Sequence, residues 1–259
     1  MKNTVITYYA DISEVTYSKN NKQLLDTWSK NWTNKGWHCV VLTAEDAKLH
    51  KDIEHIDVYN NNSLLVRDSH LNKTYLWNCY LRWFAYSKYV EENGTCVWSD
   101  FDVMNCNLTP DQMKQRNILP DTTFDGSLCC GVLSPDGSRT VTKNINLLNV
   151  EDADVIKKVN AFFGSRPDRD LNDMILLRAI NVFKIHFMCT SLMIKKEISQ
   201  EKLPFEVDGT YKFEAFPLIH FHHGLFSNSN FLRFPHIKSK NRTDIVNYFF
   251  DYYLKQPIF

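Results

Sequence analysis

The N-terminal part of the chain alternates between strand-like and helix-like patterns. Thr4–Ala10 is rich in β-branched and aromatic residues, and Trp37–Thr43 is a second run of the same kind. Between them, Asn20–Lys35 repeats its apolar residues at helical spacing and is followed by Gly36, a residue typical of helix ends. Two strands joined by one helix form a βαβ unit, and such units build parallel sheets. The sequence therefore predicts an α/β fold with a mostly parallel central sheet flanked by helices.

The composition is that of an ordinary globular protein, and its charge balance excludes one class of partner. Of the 259 residues, 44% are hydrophobic and 23% are charged, and 30 basic residues balance 30 acidic ones. A net charge of zero gives no electrostatic footprint for a polyanion, so we expect no nucleic-acid partner. No repeat or linker divides the chain, which predicts a single domain over residues 1–259.

Cysteine usage and the N-terminus bear on the cellular location. The seven cysteines include no Cys-x-x-Cys pair, which favours reduced, buried thiols over a disulfide framework or a zinc site. No apolar run approaches the ~20 residues of a membrane span. Met1–Asn3 leads directly into a strand-like run, without the pattern of a signal peptide. We expect a cytoplasmic protein with no transmembrane segment.

A short apolar strand, Thr95–Ser99, leads into two aspartates that are one residue apart. If the strand continues, Asp100 and Asp102 share one face at about 6–7 Å along the backbone, and Phe101 points into the core. Neighbouring carboxylates repel each other unless a cation lies between them, and hard divalent cations bind carboxylate oxygens together with substrate phosphates. Asp100 and Asp102 are therefore candidate ligands of a divalent cation. The alternative is that both are solvated acids at a strand end.

A second candidate for metal binding lies near the C-terminus. Pro217–Gly224 contains three histidines on a strand-like run that leads into a loop. Alternation would place His220 and His222 on one face of this strand. Neutral imidazole is a common ligand of transition metals such as Mn²⁺, so both are candidate ligands. The sequence leaves open which of these two, or the adjacent His223, would bind.

One charged residue interrupts the most apolar predicted helix, Tyr75–Glu92. Arg82 shares a face of this helix with Asn78, four residues before it. A buried arginine needs an anionic partner. That partner is either a structural Asp or Glu, or a functional anion such as a bound phosphate or Asp100.

A third acidic residue has two interpretations. Asp168–Ile180 predicts a helix with Asp170 as its N-cap, and Asp173 follows in the first turn. Asp173 then either serves helix capping and the helix dipole, or points into a cleft as a general base.

Two further positions are candidates for ligand binding. Tyr8, Tyr9 and Asp11 follow the first strand, and ligands of parallel sheets bind beyond the carboxyl ends of the strands. The alternative is that the tyrosines belong to the core. Lys238 lies in a basic stretch that would meet a pyrophosphate, or else forms part of a solvated loop.

Taken in chain order, these features resemble a glycosyltransferase of the GT-A fold, which is built on a Rossmann-like sheet. The resemblance rests on short motifs and does not point to one sequence family. They are Tyr80–Ala85 followed by Val97–Asp102, the glycine-containing strand Cys130–Leu133, the pair Asn172–Asp173, and Ile219–Phe221. The helix before the aspartates ends in Asn93 and Gly94 rather than in a Gly-Gly turn, and the histidine segment is one residue longer than in some families.

The resemblance implies a metal-dependent transfer of a sugar from a nucleotide-sugar, expected to be a UDP-sugar, to a hydroxyl of a glycan or glycoconjugate acceptor. Residues 1–105 would form the half that binds the nucleotide-sugar, and residues 106–259 the half that binds the acceptor. Mn²⁺, expected rather than Mg²⁺, would be held by Asp100, Asp102 and either His220 or His222.

The same resemblance implies further roles. Tyr8 and Tyr9 would wall the base pocket beside Asp11, and Lys238 would meet the diphosphate. Asp100 would contact the ribose or the metal, and Arg82 would bind phosphate or brace the aspartates. Asp173 would be the general base if the reaction inverts configuration, and would orient the acceptor if it retains configuration.

Two other functions fit parts of the pattern. Asp100–Met104 also looks like the nucleophile strand of a haloacid-dehalogenase-type phosphatase, with Asp100 as nucleophile and Asp102 as acid/base. That strand usually lies near the N-terminus, whereas here a βαβ unit precedes it. The other possibility is a module that binds a nucleotide or glycan without turnover.

Overall fold

The computed structural model describes part of the chain. The described residues are 3–12, 21–53, 72–106, 108–115, 124–126, 129–163, 172–179, 189–191, 206–207, 210–211, 218–221, 243–244, 246–247 and 251. The sequence also predicts short strands at 56–59 and 182–188, and both lie outside these ranges.

Seven helices and ten strands are assigned within the described residues. In chain order they are β1 (Thr4–Tyr8), α1 (Asn21–Thr33), β2 (His38–Leu42), α2 (Ala44–Lys48), α3 (Lys73–Asn93), β3 (Cys96–Ser99), β4 (Val103–Asn105), α4 (Pro110–Gln115), β5 (Phe124–Gly126), β6 (Cys130–Leu133), α5 (Pro135–Asn149), α6 (Ala153–Phe163), α7 (Asp173–Ala179), β7 (Cys189–Ser191), β8 (Glu206–Val207), β9 (Thr210–Tyr211) and β10 (Leu218–His220). None of the helices in the described ranges combines the length and apolar character that a membrane crossing needs.

The main sheet has five strands in the order β2-β1-β3-β6-β5. β1 is parallel to both β2 and β3, while β6 is antiparallel to β3 and to β5. Four strands therefore share one direction and β6 opposes them. The prediction of an α/β protein with a mostly parallel sheet flanked by helices is confirmed.

After β3, the chain passes into a second sheet through β4. β4 pairs antiparallel with β10, and β10 pairs parallel with β7. The short turn between β3 and β4 thus joins the two sheets. A third, two-stranded sheet is formed by β8 and β9.

Alternation along the central strands divides the core between two helices. Val5 and Val97 face the fully buried Trp28 and Trp32 of α1. The next residues along the strands, which include Trp98, face the buried side of α3. Each face of the sheet is thus covered by one strongly aromatic helix, which keeps both helices fixed relative to the end of β3.

The helix ends predicted at Gly36 and Gly94 are confirmed, whereas α2 is shorter than predicted. Gly36 and Gly94 have φ of +84° and +81°, so glycine suits the turns that follow α1 and α3. The polar run 44–55 predicts a short helix, but α2 ends at Lys48 because the chain turns at His50. The imidazole of His50 accepts the backbone N–H of Asp52 at 3.1 Å.

Candidate metal centre

The two aspartates lie in a turn and not on a continued strand. β3 ends at Ser99, and the backbone N–H of Asp100 donates to the carbonyl of Cys129 at 2.7 Å. The N–H of Val103 then donates to the carbonyl of Asp100 at 3.1 Å, which closes the turn. The prediction that strand alternation sets the spacing of Asp100 and Asp102 is therefore wrong.

Phe101 is only partly buried, although the strand interpretation placed it in the core. Its ring lies edge-on to that of Tyr9, with the centroids 5.9 Å apart. Because Tyr9 directly follows β1, this contact ties the end of β1 to the aspartate turn.

Helix α1 holds the segment around this turn through hydrogen bonds from buried side chains. The indole N–H of Trp32 donates to the carbonyl of Val103 at 3.2 Å, and that of Trp28 to the Ser99 hydroxyl at 3.4 Å. Asn31 exchanges two hydrogen bonds with the backbone of Asn105, of 2.7 and 3.1 Å. The face of α1 that looks purely apolar in sequence therefore also supplies the donors that orient the turn.

Strand β10 brings a histidine to the aspartates. His220 lies opposite Val103, and the N–H of Phe221 donates to the carbonyl of Asp102 at 2.9 Å. That flanking bond makes Val103 and His220 a non-hydrogen-bonded pair, the closer of the two pair types in an antiparallel ladder. Nε2 of His220 lies 3.3 Å from Oδ1 of Asp102. One ligand atom from each of Asp100, Asp102 and His220 lies within 4.8 Å of the other two.

The donor atoms of this cluster fit a divalent cation. Two carboxylate oxygens and one imidazole nitrogen form a mixed donor set of the kind that divalent transition metals bind, whereas Mg²⁺ prefers an all-oxygen shell with several waters. The side chains of Asp100, Asp102 and His220 are only 20%, 10% and 12% exposed. Bringing two carboxylates together at such low exposure is costly without a positive charge between them.

The pKa values of Asp100 and His220 reflect their burial and the charges that lie beside them. Burial raises the pKa of Asp100 to about 6; Asp102 and Asp173 add to this, while Arg82 and His220 oppose it. Burial also opposes a charge on His220, but the neighbouring Asp102 carboxylate more than offsets it and holds the pKa of His220 well above its usual range. A cation bound here would displace the proton of His220, since a ligating imidazole must be neutral.

Arg82 bridges two carboxylates from different parts of the chain. Its Nη1 donates to Oδ1 of Asp100 at 2.9 Å, and its Nε and Nη2 donate to Oδ2 of Asp173 at 2.8 and 2.5 Å. The indole N–H of Trp83 donates to the same Oδ2 at 2.7 Å. The sequence left open whether Arg82 pairs with a structural carboxylate or with a functional anion such as Asp100. The structure shows that it pairs with both Asp173 and Asp100.

Asp173 is the first residue of α7 and is 1% exposed. Helix α7 begins there and not at Asp168, with Asn172 directly before it, so the prediction of Asp170 as its N-cap is wrong. The side chain is not engaged in capping, because Oδ2 accepts from α3. Oδ1 is buried and accepts no hydrogen bond from the residues that the structure describes.

The candidate ligand-binding residues after β1 differ in their environment. Tyr8 is 8% exposed and belongs to the buried core, and its hydroxyl donates to Oδ1 of Asn78 at 2.7 Å. Tyr9 is partly buried and Asp11 is exposed. Because β1 and β3 are parallel neighbours, Tyr9 and Asp11 lie at the same sheet edge as Asp100.

Other predicted residues fall outside the described ranges, and some residues of the site were not predicted. His222, His223 and Lys238 belong to the first group. Trp83, whose indole N–H donates to Asp173, belongs to the second.

Cys129 was also missed as part of the site. Its thiol is hydrogen-bonded to His220 and its carbonyl accepts from Asp100. A signal was present in the sequence, since Cys129 directly precedes the glycine-containing strand that pairs with β3.

No protein-family model matches the chain, and no curated protein matches it significantly.

Proposed function

We propose that the protein is a metal-dependent glycosyltransferase of the GT-A type, which moves a sugar from a nucleotide-diphosphate sugar to a hydroxyl of a glycan acceptor. The observation that carries the proposal is the cluster of Asp100, Asp102 and His220 at the carboxyl end of β3. Such a cluster suits a divalent cation that also contacts phosphate oxygens. Mn²⁺ is the cation and a UDP-sugar the donor that we expect.

The position of the cluster in the sheet supports this proposal. Ligands of parallel α/β sheets bind outside the carboxyl ends of the strands, where loops from neighbouring strands meet. β1 and β3 are parallel neighbours, so Tyr9 and Asp11 flank the aspartate turn. In the proposed arrangement, Tyr9 and Asp11 lie beside the nucleoside, and residues 1–105 form most of the donor site.

The roles of the residues follow from their chemistry. Asp100, Asp102 and His220 would hold the cation, which supplies Lewis-acid stabilisation of the charge that develops on the leaving diphosphate. Arg82 is not the phosphate ligand in this proposal, because its described donors already serve Asp100 and Asp173. The turn is held in place by α1 and β10, so the two carboxylates need little reorganisation to bind.

Thermal melting against nucleotide-sugars, with Mn²⁺ and with a chelator, tests the proposal. A ligand at about 100 times its dissociation constant adds roughly 2.7 kcal/mol to the free energy of unfolding, which raises the melting temperature visibly. We expect a Mn²⁺-dependent rise with a UDP-sugar in the wild type and its loss in Asp102→Asn. Asp154→Asn, which changes an exposed aspartate in the first turn of α6, is the matched control and should keep the rise.

Two outcomes would contradict the proposal. One is that no nucleoside diphosphate or nucleotide-sugar raises the melting temperature under either condition. The other is a rise with Mn²⁺ alone that no nucleotide increases, which would indicate a metal-binding module without a donor site.

A further inference from the structure

The guanidinium of Arg82 joins three elements at the candidate metal centre. It extends from α3, donates through Nη1 to Asp100 after β3, and donates through Nε and Nη2 to Asp173 at the start of α7. Its side chain is 12% exposed. The planar fork of an arginine can satisfy two carboxylates at once in a fixed geometry, which the single ammonium of a lysine cannot do.

Arg82 divides its charge between Asp100 and Asp173, since it forms an ion pair with each of them. The carboxylate of Asp173 lies within 2.5 Å of Nη2 and balances the guanidinium charge. Without that balance, the positive charge of Arg82 would bear on Asp100 alone and compete with a cation for its oxygens. Carboxylates that bind metals are themselves held by hydrogen bonds from outer residues, and these partners orient and tune the ligand.

The contacts of Asp173 fit this role better than that of a general base. Oδ2 accepts three N–H groups, two from Arg82 and one from Trp83, and the residue is 1% exposed. These three hydrogen bonds fix the orientation of the carboxylate toward α3. A general base must instead reach the proton of the acceptor hydroxyl directly or through one water.

We propose that Asp173 is a positioning residue that holds Arg82, and that Arg82 in turn holds the Asp100 carboxylate in the orientation that binds the cation. This inference rests on the cation site of the proposed function, and it replaces the general-base role that the sequence suggested for Asp173.

Titration of the whole 259-residue chain with Mn²⁺ alone, read from the electron paramagnetic resonance signal of free Mn²⁺, tests the inference without any substrate. Asp173→Asn keeps the shape of the side chain and removes its charge. We expect its dissociation constant for Mn²⁺ to rise about 10- to 100-fold, the usual effect of losing an outer partner of a metal ligand. Arg82→Lys keeps the charge and removes the fork, and we expect a rise of the same order.

Asp136→Asn is the matched control, because Asp136 also pairs with an arginine, Arg139, but on the exposed side of α5. Its dissociation constant should equal that of the wild type. Melting temperatures of all variants separate folding from binding, since a purely structural role of Asp173 would lower the melting temperature without changing Mn²⁺ affinity. If Asp173→Asn does not fold, Arg82→Lys decides the question by the same measurement.

The outcomes separate this inference from the proposed function. A wild-type dissociation constant in folded Asp173→Asn would overturn the inference, and a loss of kcat alone would then return Asp173 to the role of general base. Absence of Mn²⁺ binding in the wild type would overturn both the cation site and the inference. Binding of Mn²⁺ without binding of any nucleotide-sugar would contradict the glycosyltransferase alone, and the comparison of variants would still decide the role of Asp173.

Discussion

The backbone N–H of Phe221 donates a hydrogen bond of 2.9 Å to the carbonyl oxygen of Asp102. This bond continues the pairing of β10 with β4 to the edge of the aspartate turn. It places the imidazole of His220 beside the Asp102 carboxylate, although the two residues come from distant parts of the chain. The candidate metal centre is therefore complete only when β10 has paired with β4.

The first prediction concerns His220 as a metal ligand. His220→Ala should raise the dissociation constant for Mn²⁺ at least tenfold, because even the loss of an outer-shell partner typically costs 10–100-fold in metal affinity. The backbone pairing of β10 does not depend on the imidazole, so the far-UV circular dichroism should stay unchanged. Mn²⁺ titration followed by electron paramagnetic resonance measures the effect.

His38→Ala is the control for this prediction, since His38 is exposed on β2 and lies outside the cluster. Its affinity for Mn²⁺ should be that of the wild type. Equal Mn²⁺ affinity in His220→Ala and His38→Ala would show that the imidazole of His220 is not a ligand.

The second prediction concerns the hydrogen bond that α1 makes to the chain after the turn. Trp32→Phe keeps an aromatic ring in a fully buried position but leaves the carbonyl of Val103 without the indole donor. A buried carbonyl that loses its partner costs about 1–3 kcal/mol, so the free energy of unfolding should fall by that amount. Urea unfolding followed by circular dichroism measures the change.

Trp28→Phe is the matched substitution on the same helix. The indole N–H of Trp28 makes a longer bond of 3.4 Å to the Ser99 hydroxyl, which also donates to the carbonyl of Asp100. A hydroxyl can rotate to a new partner, so we expect a smaller loss than for Trp32→Phe. A larger loss at Trp28 would mean that packing, and not the hydrogen bond to Val103, dominates at this helix.

The parts of the fold that were predicted correctly depend on local patterns. A run of β-branched and aromatic residues identified β1, helical spacing identified α1 and α3, and Gly94 marked the end of α3, because each signal is contained in a few neighbouring residues. The extent of α2 was overestimated because the turn at His50 depends on the Asp52 N–H and on the Ser87 hydroxyl of α3.

The candidate site was predicted in its residue types and not in its geometry. Asp100, Asp102 and His220 were expected to act together, but strand alternation gave the wrong local structure for the two aspartates. The turn depends on the carbonyl of Cys129, which comes from another strand. The sequence showed that Arg82 needs an anionic partner, because Arg82 lies on a helix that is mostly apolar. It could not show that the partners are Asp100 and Asp173, because that depends on how α3, α7 and the end of β3 pack together.

The third prediction concerns the pH dependence of stability through His50. Its ring is 2% exposed, Nδ1 accepts from the Asp52 backbone, and Nε2 is 3.1 Å from the Ser87 hydroxyl. Burial lowers the pKa of His50 below its ordinary value of 6.5, although Glu91 and Asp52 oppose this. The unfolded chain therefore binds a proton at this residue at a higher pH than the folded chain does.

The sign of the effect follows from that difference in proton binding. Above about pH 6.5 both states hold a neutral His50, and the residue adds no pH dependence. As the pH falls below that value, the unfolded state gains the proton first, so the free energy of unfolding decreases by up to about 1.4 kcal/mol per pH unit until the folded pKa is passed. Urea unfolding between pH 8 and pH 5 should show that the wild type loses stability relative to His50→Asn as the pH falls, while the exposed variant His38→Asn follows the wild type. Parallel pH profiles of the wild type and His50→Asn would show that His50 does not carry the dependence, and that other groups, such as the carboxylates around Arg82, determine it.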